Sequence, residues 1–146
     1  MIYEEFLDLR PHHICLGGES RFQSVENGLR YLKALNLPID YIAVHDAARP
    51  LVATPSTNSV RQVVPEKASK ALNRNEIWLV QTPQVFATNV LYEAYQQREE
   101  RYFTDDASVV EQLGYSIHIL EGDYKNIKIT FPEDLAIAQL YQARDN

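Results

Sequence analysis

The chain's folding options are narrowed most by a change of hydrophobic period between two neighbouring stretches. Phe22, Val25, Leu29 and Leu32 recur along one face of a helix, with Leu35 on its neighbouring side, whereas Tyr41-Ile42-Ala43-Val44 is an unbroken apolar run of strand length. Ser20, with Gln23 three positions on, suits the helix entrance, and Ser24 suits it equally. The Asn36–Pro38 stretch ends the helix, because a residue before proline is biased away from α. The apolar run predicts a parallel strand covered on both faces by helices. It delivers His45, Asp46, Ala47, Ala48, Arg49 and Pro50 to a turn, and polar residues just beyond a buried parallel strand are where open α/β sheets place ligand contacts. The plainer alternative is a polar loop with Asp46 or Arg49 in a surface ion pair.

Ile2, Tyr3, Phe6, Leu7 and Leu9 suit one short helix or strand, and Ile14 to Leu16 reads as a short strand ending at Gly17-Gly18. Farther on, Ser59 to Val64 reads as a strand, Pro65 to Lys70 as a turn, and Ala71 to Gln81 as a return path through Ile77-Trp78-Leu79-Val80. Two such strands form an extended arm, which needs a partner because an isolated ribbon is marginal in water. After the break at Pro83, Val90, Leu91, Ala94 and Tyr95 give a helix face toward Arg98. Thr104-Asp105-Asp106 is a further helix entrance, with Gly114 as its stop. Ile117–Leu120 and Ile127–Ile129 read as short strands, and Phe131-Pro132-Glu133-Asp134 opens a last helix carrying Leu135, Ile137, Ala138, Leu140 and Tyr141.

At 146 residues and 45% hydrophobic content the chain suits a single domain with one core. Its 14 basic and 20 acidic residues leave a net charge of -6, a field that disfavours nucleic acid and anionic membranes as partners. A small phosphorylated ligand stays compatible, since a local group of Arg and Lys can hold it. The lone Cys15 excludes an intrachain disulfide and fits a reducing cytoplasmic setting, and its neighbours Ile14 and Leu16 predict an inert buried thiol. Glu4, Glu5 and Asp8 are unlike a signal peptide, and no stretch approaches the roughly 20 apolar residues that span a bilayer.

Arg49 and Lys128 are candidate phosphate ligands beside short apolar segments, which Arg21 and Arg74 would extend; the alternative is unrelated surface cations. Asp46 suits a magnesium ion whose oxygen shell is completed by substrate phosphates. Asp105 and Asp106 are adjacent, and one of them suits a helix cap. His12, His13, His45 and His118 show neither the Cys/His spacing of a structural zinc site nor an HExxH helix.

Five blocks then fall in one order: Gly17-Gly18-Glu19-Ser20-Arg21-Phe22-Gln23-Ser24-Val25 (GG-x-x-R-x-x-S-V), His45 to Pro50 (HDAARP), Thr82-Pro83-Gln84 (TPQ), Thr104 to Ser108 (TDxAS) and Asn126 to Thr130 (NIKxT). In these blocks the chain resembles the 2-C-methyl-D-erythritol 4-phosphate cytidylyltransferase family from about His12 to near Tyr141. The resemblance implies an α/β fold, an incomplete Rossmann-like nucleotidyltransferase sheet with helices and an extended β-arm. It also implies one incomplete domain over residues 1–146 with a dimerisation arm at about 56–76, Ser56 through Glu76. The family's opening strand with its AAGxGxRM-like turn and the following PKQ segment are not in this sequence. The passage from Pro50 through Ser59 is shorter than the family's.

The family transfers a cytidylyl group from CTP to 2-C-methyl-D-erythritol 4-phosphate, releasing pyrophosphate with magnesium present. By its motifs, Gly18, Glu19, Ser24, Asp46 and Ala47 are nucleotide-binding residues, with Asp46 also at the metal. Arg49, Ser59, Arg74, Thr104 and Lys128 are substrate-binding residues, Ser59 standing where the family has threonine. Arg74 and Lys128 are the expected catalytic pair, acting by position and charge. The resemblance further implies a homodimer in which the arm carries Arg74 into the partner's site. Two alternatives stay open: a non-catalytic fragment that binds ligands or dimerises, and another sugar-phosphate nucleotidyltransferase.

Overall fold

The computed structural model describes residues 13–45 and 53–144. Helix α1 (Arg21–Ala34) begins at Ser20, whose hydroxyl accepts the Gln23 N–H at 3.1 Å, so Ser20 rather than Ser24 is the cap. The Gln23 side chain reaches back to accept from the Glu19 N–H at 3.0 Å. Asn36, at φ 49°, turns the chain after the helix.

Strand β1 (Tyr41–Val44) pairs antiparallel with β6 (Gln84–Ala87), Ile42 facing Phe86 and Ala43 facing Val85. Because side chains alternate across a strand, Ile42, Val44 and Phe86 share the face packed on the core, whereas Tyr41 at 70% and Val85 at 59% exposure point away. The expected parallel strand with two covered faces is therefore corrected. Among the described residues β1 belongs to a two-stranded antiparallel ribbon, and such a ribbon buries only the face its helices reach.

Between these strands the chain builds the arm. Strand β2 (Thr54–Pro55) pairs with β5 (Trp78–Leu79), and β3 (Val60–Gln62) pairs with β4 (Lys70–Leu72), both antiparallel. Glu66 at φ 62° lies in the β3–β4 turn, and the Arg61 guanidinium clamps that hairpin by donating to the hydroxyl and carbonyl of Ser69 at 2.9 and 3.0 Å. A 3-10 turn over Arg74–Glu76 then leads into β5.

Helix α2 (Thr88–Ala94) follows β6 directly and stops well before Arg98, and α3 (Asp106–Glu111) packs against it. Phe22 and Leu29 from α1, Ile42 from β1, Leu91, Ala94 and Tyr95 from α2 and its C-cap, and Val109 and Val110 from α3 make the core. The Phe22 ring stacks on Tyr95 with centroids 4.6 Å apart.

Four further expectations change. Among the described residues Ile14–Leu16 forms no strand, Leu16 is 87% exposed, and Cys15 is exposed rather than buried. Ile117–Leu120 forms no strand among the described residues; the Ala53–Glu121 bridge joins this neighbourhood, with the Ala53 N–H donating to Leu120 O at 3.3 Å. Ile127–Ile129 likewise has no ladder partner among the described residues. Apolar, branched residues favour a pleated surface only where a neighbouring strand supplies one.

Helix α4 (Pro132–Arg144) opens with Asp134 Oδ2 accepting the N–H groups of Thr130 and Phe131, each at 2.8 Å. Those backbone bonds, led by Phe131's, hold the Asp134 carboxyl below its usual range. A depressed folded pKa gives support that is present above the unfolded value and lost as pH falls through the folded one. Acid titration followed by circular dichroism should therefore show α4 losing helicity below the ordinary carboxylate range, and Asp134→Ala should remove that step. Leu91→Ala, at a fully buried core position, should destabilise the chain by about 2–5 kcal/mol in urea unfolding.

Candidate functional site

The Gly17-Gly18 turn lies against the first turn of α1. The Gly18 N–H donates to Ser24 Oγ at 2.9 Å, and that hydroxyl donates to Ser20 O at 2.8 Å. A Cβ on Gly18 would stand 2.2 Å from Gln23 Cβ and 2.9 Å from its carbonyl carbon, so the close approach admits only glycine. Gly18, Glu19 and Ser24 are thus brought together, with the Ser24 hydroxyl bracing the turn.

The first residue of α1, Arg21, reaches 85 positions along the chain to Asp106. Asp106 has no exposed surface; its carboxylate receives a two-pronged contact from the Arg21 guanidinium and accepts the Tyr95 hydroxyl at 2.6 Å. Burial first, then the Asp106 charge, pushes the Tyr95 hydroxyl above its ordinary range, while Arg21 pulls it down. Tyr95 therefore remains a proton donor to the carboxylate.

Asp105 is oriented differently. Its Oδ1 accepts the Ser108 N–H at 2.9 Å, capping α3, and its Oδ2 accepts from Gln84 Nε2 at 2.8 Å. Gln84 in turn accepts the Ala107 N–H on Oε1 at 2.9 Å. This buried glutamine ties the start of β6 to the entrance of α3. A second amide pair lies nearby: Asn126 Nδ2 donates to Gln81 Oε1 at 2.9 Å, while Gln81 Nε2 donates to Asp123 O at 3.1 Å. It fastens the residues before Lys128 to the Gln81–Gln84 turn, which contains a cis Thr82–Pro83 peptide. His45 Nδ1 lies 3.1 Å from the Thr82 hydroxyl, linking the end of β1 to the same turn.

These ties surround a cleft of about 280 Å³ lined by Arg21, Thr82, Gln84, Thr104, Asp105 and Lys128, together with Val80 and Gln81. Of the expected site residues it brings together Thr104 and Lys128. Ser59 and Arg74 do not line it; both are exposed on the arm, where Arg74 Nη1 donates to Thr57 O at 3.2 Å. Asp46, Ala47 and Arg49 lie outside the described residues. Arg21's proximity to Lys128 was only one option in the sequence. Gln84 and Asn126 had a signal, since they stand inside the TPQ and NIKxT blocks, but no pattern there discloses their partners, and Gln81 had none.

The model of the 2-C-methyl-D-erythritol 4-phosphate cytidylyltransferase family matches residues 3–72 and 55–144. The chain belongs to this family. The cytidylyltransferase of that name from Phocaeicola vulgatus is 40% identical, over 88% of this chain and 66% of its own length, and that from Aquifex aeolicus is 37% identical, over 93% and 73%. The chain spans about two thirds of the length of the curated relatives it matches. The alignment with the Phocaeicola protein runs to 148 positions, more than the 146 residues of the whole chain, so the relative carries additional residues within the matched span.

A crystal structure of the family's Francisella tularensis member superposes with a TM-score of 0.70 at 31% identity, covering 88% of this chain and 70% of that one. The Anaerococcus prevotii synthase superposes with a TM-score of 0.80 at 24% identity, over 97% and 73%, a likeness of fold. The chain accordingly has the α/β fold of the cytidylyltransferases.

Removing the cap that Asp105 provides and removing the partner of Asp106 should differ in cost. Asp105→Ala removes a cap and should lower stability by about 1 kcal/mol. Arg21→Ala strands a carboxylate with no access to water and should cost about 3–5 kcal/mol. Urea unfolding of both variants checks the order.

Proposed function

We propose that the protein transfers a cytidylyl group from CTP to 2-C-methyl-D-erythritol 4-phosphate, giving 4-diphosphocytidyl-2-C-methyl-D-erythritol and pyrophosphate. Family membership supports this reading, and the observation that carries it is the cleft in which Thr104 and Lys128, residues of two separate family blocks, face one space with Arg21. Gly18, Glu19 and Ser24, with Asp46 and Ala47, are assigned to the nucleotide; Arg49, Ser59, Arg74, Thr104 and Lys128 are assigned to the acceptor.

The acceptor's phosphate oxygen forms the new bond to the α-phosphorus of CTP, and the bond from that phosphorus to the pyrophosphate oxygen breaks. A phosphate monoester, with a second pKa of about 6, is already ionised at neutral pH, so no side chain need accept a proton. The barrier is one of bringing two anions together in line. Lys128 and Arg74 lower it by fixing the acceptor phosphate and stabilising charge on the equatorial oxygens. The Thr104 hydroxyl adds an uncharged hydrogen-bonding group to the same contact.

Magnesium belongs to the proposal through Asp46 and the phosphates of CTP, where it would neutralise triphosphate charge. Asp105, the cleft's own carboxylate, is held by the Ser108 N–H and the Gln84 amide. No group of three or more His, Cys, Asp or Glu side chains with metal-ligand geometry occurs among the described residues.

The same reading makes the protein a homodimer whose arm places Arg74 in the partner's site. Its support is the exposed β3–β4 hairpin and the position of Arg74 on the arm rather than at the cleft of its own chain. Two-stranded ribbons gain stability when another copy covers them. Nucleic acid and membranes are not among the proposed partners. No helix among the described residues is long and apolar enough to cross a membrane, and the cytoplasm is the proposed compartment.

Incubation with CTP, magnesium and methylerythritol phosphate should yield pyrophosphate and the cytidylylated product. Folded protein that binds either ligand without turnover would instead establish a non-catalytic binding fragment, and turnover only with another sugar phosphate would reassign the acceptor. Heterodimers of Arg74→Ala and Lys128→Ala subunits should recover activity above either homodimer, because both defects fall in one site. Verified heterodimers without recovery would reject the shared site.

A further inference from the structure

We propose that the groove between β6 and residues 117–121 is a strand-addition site, and that its occupant is an extended, mainly apolar segment of a polypeptide other than this chain. The inference is independent of the CTP and acceptor assignments.

The groove, about 510 Å³ in volume, lies between two stretches of unpaired backbone. On one side is β6. The Thr88 N–H donates to Asp40 O at 2.9 Å, which continues the β1–β6 register as a hydrogen-bonded pair. Antiparallel ladders alternate bonded and non-bonded pairs, so Phe86 and Gln84 bond to β1 while the N–H and C=O of Val85 turn away from it. On the other side, the backbone groups of Ile117, His118 and Ile119 have no hydrogen-bond partner among the described residues. Val85 and Phe86 face Ile117, Ile119 and Leu120 across the space, and Val85, Ile119 and Leu120 are each more than half exposed. Backbone donors and acceptors beside an apolar lining are what a further strand satisfies, its main chain supplying the bonds and its alternate side chains the packing.

One end of the groove shows the direction such a strand takes. Ala53, which lines it, bridges Glu121 in parallel and donates to Leu120 O at 3.3 Å. A strand that continued this pairing along Ile119 and Ile117 would run parallel to them, with β6 as its second neighbour.

The comparison with relatives argues for the occupant. The alignment with the Phocaeicola vulgatus protein runs to 148 positions but takes in only 88% of this chain's 146 residues, a shortfall of about 20 residues within the matched span. The passage from Pro50 through Ser59, which contains Ala53, is the one shorter than the family's, and the family model matches in two stretches that overlap at 55–72, just past it. The shortfall thus falls at the end of the groove, and about 20 residues exceed the five or six of an ordinary strand with its connection. The groove also shares Gln84, Thr104 and Asp105 with the cleft that holds Lys128, so a seated strand packs against one wall of that cleft.

The probe is a synthetic peptide carrying the Phocaeicola vulgatus residues between the counterparts of Pro50 and Ser59, added to the full chain, with a scrambled peptide of the same composition as control. Amide hydrogen exchange at Val85 and Ile119 should slow about tenfold when the peptide stands at ten times its Kd, and the scrambled peptide should leave both unchanged. Val85→Pro deletes an N–H that β1 does not use, a replacement an edge strand tolerates, and should weaken peptide binding about fivefold. Ile119→Asp, which leaves β6 untouched, should weaken it by a similar factor. Absence of binding, equal binding of the scrambled peptide, or binding without protection at Val85 and Ile119 would overturn the proposal. So would folded Val85→Pro and Ile119→Asp variants that bind as tightly as the unaltered protein. Protection already present in the dilute free protein would mean that the chain itself fills the groove, and protection that grows with protein concentration alone would make a second copy the occupant; either result would overturn the assignment to another polypeptide.

Discussion

A carboxylate removed from water must be compensated by neighbouring donors or it will unfold or neutralise, and Asp106 is that group in this protein. Its partners come from two directions, Arg21 at the start of α1 and Tyr95 at the end of α2, while Asp106 itself opens α3. Three helices are therefore held in relation by one ionic centre, and the apolar contacts of Phe22, Leu91, Val109 and Val110 close around it. Packing alone tolerates small slides between helices. A two-pronged ion pair with a third donor does not, because a shift that lengthens one bond leaves charge unpaired in a low-dielectric interior.

The polar amides extend this order toward the cleft. Gln84 spends its oxygen on the Ala107 N–H and its nitrogen on Asp105, and Gln81 exchanges a bond with Asn126 while holding the Asp123 carbonyl. Among the described residues no strand ladder reaches those around Lys128. Their backbone is located by these side-chain amides instead, which is why a segment without regular structure can still present a cation at a defined place. The amides play the part a neighbouring strand would have played.

What was legible in the sequence depended on the range of the interaction. The entrance of α1 could be narrowed to Ser20 or Ser24 and that of α3 to the Thr104–Asp106 stretch, because capping chemistry is local, and the structure selects Ser20 with Gln23 and Asp105 with Ser108. The core face of α1 followed from spacing. The antiparallel partner of β1 could not be read, since β6 begins 40 residues after β1 ends and nothing in Tyr41–Val44 encodes direction. Cys15 misled for a related reason: apolar neighbours suggest burial, but Ile14 at 52% and Leu16 at 87% exposure have nothing to bury against among the described residues. Thr104 and Lys128 became candidates through family motifs rather than through any pattern of their own. The link from Arg21 to Asp106 was invisible, because ion pairs between distant residues leave no periodic trace.

The protein's one tryptophan, Trp78, sits in β5 opposite Pro55, half-buried on the arm, whereas the stacked Phe22 and Tyr95 rings belong to the helical core. Intrinsic fluorescence excited at the indole band is thus a private reporter of the arm. Its emission follows solvent entry at β2 and β5, and a cooperative loss of the helices registers in it only insofar as the arm is anchored to them. Spectroscopic transitions read from indole emission and from peptide ellipticity are two separate measurements on this molecule, and the gap between their midpoints is a direct gauge of how firmly the arm is coupled to the body that bears it.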